Sequence, residues 1–269
     1  MLSIVTSVIV HPLLFAVLLL LLGCIGYLHV HGRDQRVDRF LVVLSLTVPC
    51  HVVALLGAMS AGYVRPEKLD LYVYRMDGLL GFQPSFVLGR LVADHLSLMI
   101  LLKLLYELLP VVIAVVFGGY LWYRSAEAMS MVPVFVLNLA LSVPFYLIFP
   151  VSGPAYAFPN YPALPTGPVI PHPIPLSAPP NGVPSIHFSS ALLIFWYARK
   201  LPLGRWMGGA YLLFMAAATM GSGEHYLFDL LMALPYAAMI YRAGNQVARL
   251  KFPKPFSARS KSSNCPARA

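Results

Sequence analysis

Long apolar runs, separated by short polar segments, dominate the pattern of hydrophobic and polar positions along the chain. The runs show no period-two alternation, so they predict helices rather than the strands of a membrane barrel. Because about 20 apolar residues cross the hydrocarbon core of a bilayer, we predict an all-α polytopic membrane helix bundle. The predicted helices lie at about 7–30, 40–63, 99–123, 132–149, 185–198, 206–220 and 226–242.

The fifth and sixth predicted helices are short for a bilayer crossing. Each fits a buried core helix or a re-entrant segment as well as a span, so the pattern predicts six to seven transmembrane helices. The composition agrees with a membrane protein, with 59% hydrophobic residues, 11% charged residues and a mean hydropathy of +0.74. A soluble domain could not bury that much apolar surface.

Basic residues are distributed unevenly between the two faces of a seven-helix bundle. Four of the 19 lysine and arginine residues lie on the face that contains segments 64–98 and 150–184, namely Arg65, Lys68, Arg75 and Arg90. The opposite face carries the others except Lys103, which lies within the third helix. The positive-inside rule therefore predicts that the poorly charged face is extracytoplasmic and that the C-terminus is cytoplasmic, in a plasma or inner membrane.

Two segments on the extracytoplasmic face are long. Segment 150–184 contains half of the 24 prolines and no charged residue. We expect it to be extended, without helix or sheet, and to form a lid or a substrate rim at the headgroup region; a disordered linker is the alternative. Leu, Phe and Val recur along segment 64–98, which predicts a helix along the membrane surface.

The first chemical motif is Pro184-Ser185-Ile186-His187. Proline and serine are typical of a helix start, where Ser185 caps the helix and unpaired backbone N–H groups attract phosphate. We therefore expect Ser185 to bind phosphate and His187 to project from the first turn beside it. A hydrogen-bonded structural histidine is the alternative.

The second motif is Glu224-His225-Tyr226-Leu227-Phe228-Asp229. His225 and Asp229 are four residues apart, so a helix would place them on one face. The carboxylate could then hold one imidazole nitrogen protonated and leave the other to attack or to accept a proton. The predicted topology places both motifs on the same face at membrane depth, where ionisable residues are costly and usually functional.

Together with Tyr146-Leu147-Ile148-Phe149-Pro150-Val151-Ser152-Gly153-Pro154, these motifs resemble the type 2 phosphatidic acid phosphatase superfamily, and especially its inositol phosphorylceramide synthase-like branch. The resemblance covers about 146–242, with a weaker match at 77–90. It implies a phosphohistidine mechanism in which His225 is the nucleophile, Asp229 orients it and His187 donates a proton to the leaving group.

The chain departs from the superfamily pattern at its basic residues. The usual lysine-plus-arginine motif is absent, and Thr219 stands where an arginine is expected before His225. We therefore expect Arg90, Arg75 or Lys103 to neutralise the phosphate, together with helix N-terminal N–H groups. An interfacial anchor is the alternative for Arg90, and a side chain that snorkels to the membrane surface is the alternative for Lys103.

The resemblance implies no cofactor and no metal. The predicted partners are a phosphorylated lipid substrate and membrane lipids, and no nucleic acid. Hydrolysis and transfer to an acceptor alcohol remain open, as does the oligomeric state. A transporter or structural membrane protein whose histidine and aspartate line a proton path is the alternative from another class.

We divide the chain into a transmembrane catalytic domain over 1–242, with its motifs within about 146–242, and a basic cytoplasmic tail over 243–269. The net charge of +9 comes largely from the cytoplasmic face and this tail. Contact with anionic lipid headgroups is one function of such a tail, and a disordered tail without a binding role is the alternative.

Overall fold

The computed structural model describes residues 20–32 and 34–251, and this part of the chain is mostly helical. The predicted all-α class is confirmed. Two short strands, β1 (Glu67–Lys68) and β2 (Ile174–Pro175), pair in antiparallel fashion. The helices are α1 (Leu20–His31), α2 (Gln35–Val64), α3 (Asp70–Gly78), α4 (Pro84–Asp94), α5 (Leu96–Glu107), α6 (Leu109–Tyr123), α7 (Ser125–Ala128), α8 (Met131–Ala140), α9 (Ser142–Ile148), α10 (Pro154–Ala157), α11 (Ile186–Ala198), α12 (Gly204–Gly221) and α13 (Leu227–Lys251).

Within the described residues, one or two helical stretches have the length and composition of a bilayer crossing. The stretch Ser125–Ile148, which contains α7 to α9, reaches a mean hydropathy of 2.1. Helices α4 and α5 form a second candidate, but they meet at a bend of 117° and so suit a broken span or a re-entrant loop. Helices α1, α6 and α11 are apolar but shorter. The number of six to seven spans therefore stays a prediction.

Several helix bounds differ from those predicted. The single helix predicted over 99–123 is two helices, α5 and α6, separated at Leu108. Pro110 lies in the first turn of α6, where proline is tolerated, and its ring would clash with the preceding turn of a continuous helix. Segment 64–98 forms β1, α3 and α4 rather than one surface helix. The start of the first predicted helix and residues 252–269 of the tail lie outside the described residues.

The proline-rich segment contains regular structure, so the prediction that it forms neither helix nor sheet is wrong. Helix α10 begins at Pro154, and β2 pairs with β1 in the register Lys68↔Ile174. Both places tolerate proline, since a first helical turn and the edge of a two-stranded sheet need no N–H from it. Val151, Phe158 and Val183 also pack with Tyr226 in a buried cluster. The segment therefore lies against the start of α13.

Helix α11 lies at the centre of the fold, in contact with α6, α8, α12 and α13. Most of its residues are buried, which explains why its sequence is apolar on every side. Two polar residues within it bind Asn138 of α8, whose amide donates to Ser190 Oγ and accepts from Ser189 Oγ, both at 2.9 Å. These bonds satisfy buried polar groups and join α8 to α11. Helix α11 is thus buried within the bundle, and its assignment as a membrane span stays a prediction.

Candidate active site

The turn between α12 and α13 carries His225. Gly223 adopts a positive φ of 76°, and a Cβ at this position would approach the Tyr161 ring to 2.7 Å, so the turn requires glycine. The backbone N–H of His225 donates to the carbonyl of Thr219 at 3.1 Å, and the His225 side chain is 1% exposed. His225 thus lies in the turn before α13 instead of on a helix face that it shares with Asp229, because the helix begins only at Leu227.

His225 and Asp229 nevertheless contact each other. The imidazole Nδ1 lies 3.3 Å from Oδ2 of Asp229, and both side chains are almost completely buried. The same carboxylate oxygen accepts the backbone N–H of Tyr226 at 2.9 Å. A carboxylate at Nδ1 fixes the ring orientation and favours the tautomer whose Nε2 has a lone pair. The arrangement is therefore able to present Nε2 as a nucleophile.

Asp77, at the end of α3, caps the start of α13. Its carboxylate oxygens accept the backbone N–H groups of Leu227 at 2.8 Å and Phe228 at 2.9 Å. Burial raises the pKa of Asp77 to about 6, although the two N–H donors lower it. These two amides are consequently occupied by a protein carboxylate, and the phosphate contact expected from helix N-terminal N–H groups at Ser185 stays a prediction.

Helix α4 supports the same turn from another side. The hydroxyl of Ser85 donates to the backbone carbonyl of His225 at 2.9 Å. The hydroxyl of Tyr161, from the proline-rich segment, lies 2.8 Å from the carbonyl of Ser85 and 2.9 Å from that of Met220. The backbone at His225 is therefore held by α4, by the proline-rich segment and by its own turn.

The first motif starts α11 as predicted. Ser185 is the N-cap residue, and its buried hydroxyl accepts the backbone N–H of Phe188 at 3.4 Å. Its own N–H donates to the backbone carbonyl of Asp229 at 3.4 Å. This bond brings the two motifs together, because it joins the first turn of α13 to the first turn of α11. The predicted phosphate contact of Ser185 stays a prediction.

His187 lies half-buried in the first turn of α11 and contacts Tyr106 of α5. The two rings stack with their centres 3.9 Å apart and their planes inclined by 20°, and the Tyr106 hydroxyl oxygen lies 3.0 Å from Nδ1 of His187. Tyr106 was not among the residues expected at the site. Helix α5 was predicted as part of a span, and no feature of its sequence marks this tyrosine.

The three cations expected to bind phosphate all have exposed side chains. Arg75 lies in the last turn of α3, Arg90 on α4 and Lys103 on α5. Within the described part of the chain, no hydrogen bond or ion pair joins any of them to His225 or Asp229. Lys103 and Glu107 lie one turn apart on α5. The roles of the three cations in phosphate binding stay predictions.

Glu224 precedes the candidate nucleophile and binds the proline-rich segment. Both of its carboxylate oxygens accept from the Tyr156 hydroxyl, at 3.0 and 3.1 Å. Burial raises the pKa of Glu224, while His225 and the Tyr156 hydroxyl lower it. Gly153 lies nearby with a positive φ of 118°, and a Cβ there would meet the Glu224 carbonyl oxygen at 2.3 Å. The proline-rich segment is therefore packed directly on the turn that carries His225.

Asp70, at the start of α3, holds the proline-rich segment in the same way that Asp77 holds α13. Its carboxylate accepts the backbone N–H of Ser152 at 3.0 Å and that of Gly153 at 2.7 Å. Burial raises the pKa of Asp70 to about 6, opposed by these two donors. The nearby Lys68 is buried and donates to the carbonyl of Arg65. Helix α3 is thus hydrogen-bonded both to the proline-rich segment, through Asp70, and to the start of α13, through Asp77.

Thr219 occupies the position at which the superfamily pattern places an arginine. It is fully buried, and its hydroxyl lies within hydrogen-bond distance of the carbonyls of Met215, at 2.9 Å, and Ala216, at 3.1 Å. It therefore supplies no positive charge. No group of three histidine, cysteine, aspartate or glutamate side chains forms a metal-binding set within residues 20–32 and 34–251.

The sequence matches a known family of proteins. A model of the PAP2 superfamily matches residues 71–243, which is more than half of the chain and includes both motifs. The chain belongs to the PAP2 superfamily. Membership supports a phosphatase-type function on lipid phosphates. Searches of curated proteins and of solved structures give no significant match.

The PAP2 superfamily match also extends the region that sequence resemblance covered. It starts at Leu71 and so includes Asp77 and Ser85, which the resemblance matched only weakly. Both residues contact the second motif through hydrogen bonds that span about 140 to 150 positions of sequence. An acidic residue at the end of a short helix was the available signal for Asp77, but its partner amides are not identifiable from local sequence.

Proposed function

We propose that this PAP2 protein is an integral membrane enzyme that removes or transfers the phosphate of a lipid through a phosphohistidine at His225. In the first step, Nε2 of His225 attacks phosphorus and the bond to the lipid oxygen breaks, while His187 gives that oxygen a proton. In the second step, water or an acceptor alcohol attacks the phosphohistidine, and His187 takes its proton. Asp229 orients His225 throughout.

One observation carries this proposal most strongly. The Ser185 N–H donates to the carbonyl of Asp229, so the start of α11 lies against the His225–Asp229 pair even though the motifs are about 40 residues apart. Two histidines whose Nδ1 atoms have separate partners, at adjoining ends of two helices, suit a nucleophile and a proton donor acting on one phosphate.

The finer points of the proposal extend the superfamily assignment. We propose six to seven membrane spans, an extracytoplasmic active site and a cytoplasmic C-terminus in a plasma or inner membrane, supported by the distribution of basic residues. The partners are a phosphorylated lipid and the surrounding membrane lipids. Transfer of a phospho-headgroup to a lipid alcohol, as in the inositol phosphorylceramide synthase-like branch, is the alternative outcome of the second step.

The test is covalent labelling. Purified protein is mixed with a lipid whose phosphate is radiolabelled and is quenched in base, where phosphohistidine survives. We expect label on the peptide that contains His225 and neither label nor turnover in His225→Ala. His187→Ala should still form the adduct from a substrate with a good leaving group, because that step needs no proton donor. Full activity of His225→Ala would favour a transporter or structural protein instead.

A further inference from the structure

The His187 imidazole is covered by an aromatic ring from a distant helix. The bend between α4 and α5 directs α5 along α12 and brings Tyr106 to the first turn of α11. The phenol stacks on the imidazole with ring centres 3.9 Å apart, and its hydroxyl oxygen lies 3.0 Å from Nδ1. Both rings are half-buried, so the contact restricts the rotation of His187.

We propose that Tyr106 is a positioning residue for His187 and acts in the leaving-group step, an inference that rests on the proposed phosphoryl transfer. Both ring nitrogens of protonated His187 carry a hydrogen, so the Tyr106 oxygen then accepts from Nδ1–H and the proton on Nε2 is directed to the oxygen of the departing lipid alcohol. When the phosphorus–oxygen bond breaks, that proton moves to the alcohol and the imidazole becomes neutral. Nδ1–H stays with Tyr106, so Nε2 has its lone pair ready for the proton of the second nucleophile.

The two histidines have different Nδ1 partners, and the difference matches their proposed tasks. Asp229 gives His225 a carboxylate, which stabilises the positive charge that the ring acquires when it bonds to phosphorus. Tyr106 gives His187 a neutral hydroxyl, which holds the ring without adding a negative charge. A carboxylate in that place would hold the proton more tightly, whereas His187 must release it in one step and take one up in the next.

The test compares leaving groups. Tyr106→Phe keeps the ring and removes the hydroxyl, and turnover is measured with a long-chain alkyl phosphate and with an aryl phosphate of matched chain length. We expect kcat for the alkyl ester to fall about tenfold, the effect of one lost hydrogen bond. With the aryl ester, whose leaving group needs no proton, the rate of label incorporation at His225, which reports the first step alone, should stay within about twofold of the original.

Tyr211→Phe is the matched control. The Tyr211 hydroxyl, on α12, lies 3.2 Å from the carbonyl of Leu105, the residue that precedes Tyr106 on α5. This substitution should affect both esters alike and only slightly. Equal losses in the rate of label incorporation at His225 for the two esters in Tyr106→Phe, or no loss with either ester, would overturn the positioning role. If the unaltered protein turned over neither ester and took up no label at His225, the proposed function itself would fail, which is a distinct result.

Discussion

The two histidine-bearing segments are built in different ways. The first motif forms its own structure, since Ser185 caps α11 through a hydroxyl two residues before His187. The second motif depends on other parts of the chain, because Asp77, Ser85 and Tyr156 all bind the stretch from Glu224 to Phe228. A helix start needs only local residues, whereas a turn that buries an ionisable pair needs distant partners for its backbone.

Of the two histidines, His225 has the backbone that is held by more contacts with distant residues. The backbone of His225 is held through its N–H by Thr219 and through its carbonyl by Ser85. His187 is held by its helix and by the ring of Tyr106. Substitutions of distant residues should therefore affect the His225 chemistry more than that of His187, which the following measurements examine.

The largest effect is expected within the pair itself. Asp229→Asn keeps an oxygen for the Tyr226 N–H but removes the charge that fixes the His225 tautomer. Activity should fall by up to about 10⁴-fold, the loss known for the corresponding carboxylate of serine-protease triads. The rate of adduct formation at His225 measures the effect, with the unfolding temperature in detergent as the control for folding. An unchanged rate would mean that Asp229 only caps α13.

A pH effect is expected from the cap of α13. The pKa of about 6 at Asp77 exceeds the ordinary 3.8. The folded state thus binds this proton more tightly, and the stability gained is present below pH 4 and lost as the pH rises through about 6. The advantage of the unaltered protein over Asp77→Asn in unfolding free energy should shrink by up to about 3 kcal/mol between pH 4 and pH 7.

Asp70→Asn is the matched variant for this experiment, because Asp70 has the same pKa of about 6 and lies on the same helix. The advantage of the unaltered protein over Asp70→Asn in unfolding free energy should likewise shrink as the pH rises. Only Asp77→Asn should also slow adduct formation at His225, since Asp77 binds the amides that follow that residue. Parallel stability curves for the unaltered protein and both variants would contradict the role of burial at these carboxyls.

An intermediate effect is expected from the phosphate-binding cation. If Arg90 binds the substrate, Arg90→Ala should cost about 1.5 to 3 kcal/mol of transition-state stabilisation, the value of a charge-assisted hydrogen bond. The ratio kcat/KM for a lipid phosphate measures it. Arg75→Ala and Lys103→Ala, made in parallel, identify the cation, because all three side chains are exposed and replacement does not disturb packing. Unchanged kinetics in Arg90→Ala would transfer the role to one of them.

The smallest effect is expected where the proline-rich segment meets the turn. Tyr156 is 42% exposed, so its hydrogen bonds to Glu224 contribute at most about 1 kcal/mol. Tyr156→Phe should lower kcat/KM by no more than about fivefold and leave the unfolding temperature nearly unchanged. A loss as large as that of Asp229→Asn would show that this segment participates in the chemistry directly.

Local patterns in the sequence predicted the parts of the fold that depend on neighbouring residues. The helix start at Ser185 is confirmed. His225 contacts Asp229, but from the turn before α13 and not from the shared helix face that was predicted. The break between α5 and α6 was missed, although Pro110 was a visible signal for it. The strand pair Lys68↔Ile174 was missed because the partners are more than 100 residues apart and each strand has only two residues.

The contacts of the candidate site that the sequence did not predict were missed for one physical reason. The contacts of Asp77 with Leu227, of Ser85 with His225 and of Tyr106 with His187 all join residues more than 80 positions apart. Their side chains are ordinary for the helices on which they lie, so no periodicity or spacing marks them. Which carboxylate binds which amide depends on tertiary packing, and a single sequence does not contain that information in local form.

The seven-residue spacing of Asp70 and Asp77 on α3 sets the distance between two other segments of the chain. Seven residues correspond to about two helical turns, so the two carboxylates lie on one face of α3 and their Cα atoms are about 10 Å apart along the axis. One carboxylate binds Gly153 and the other Leu227, so this length sets the distance between the two segments. Inserting one residue between them would rotate one carboxylate by about 100° relative to the other. Replacing the exposed Tyr72 or Arg75 would leave the relative position of the two carboxylates unchanged.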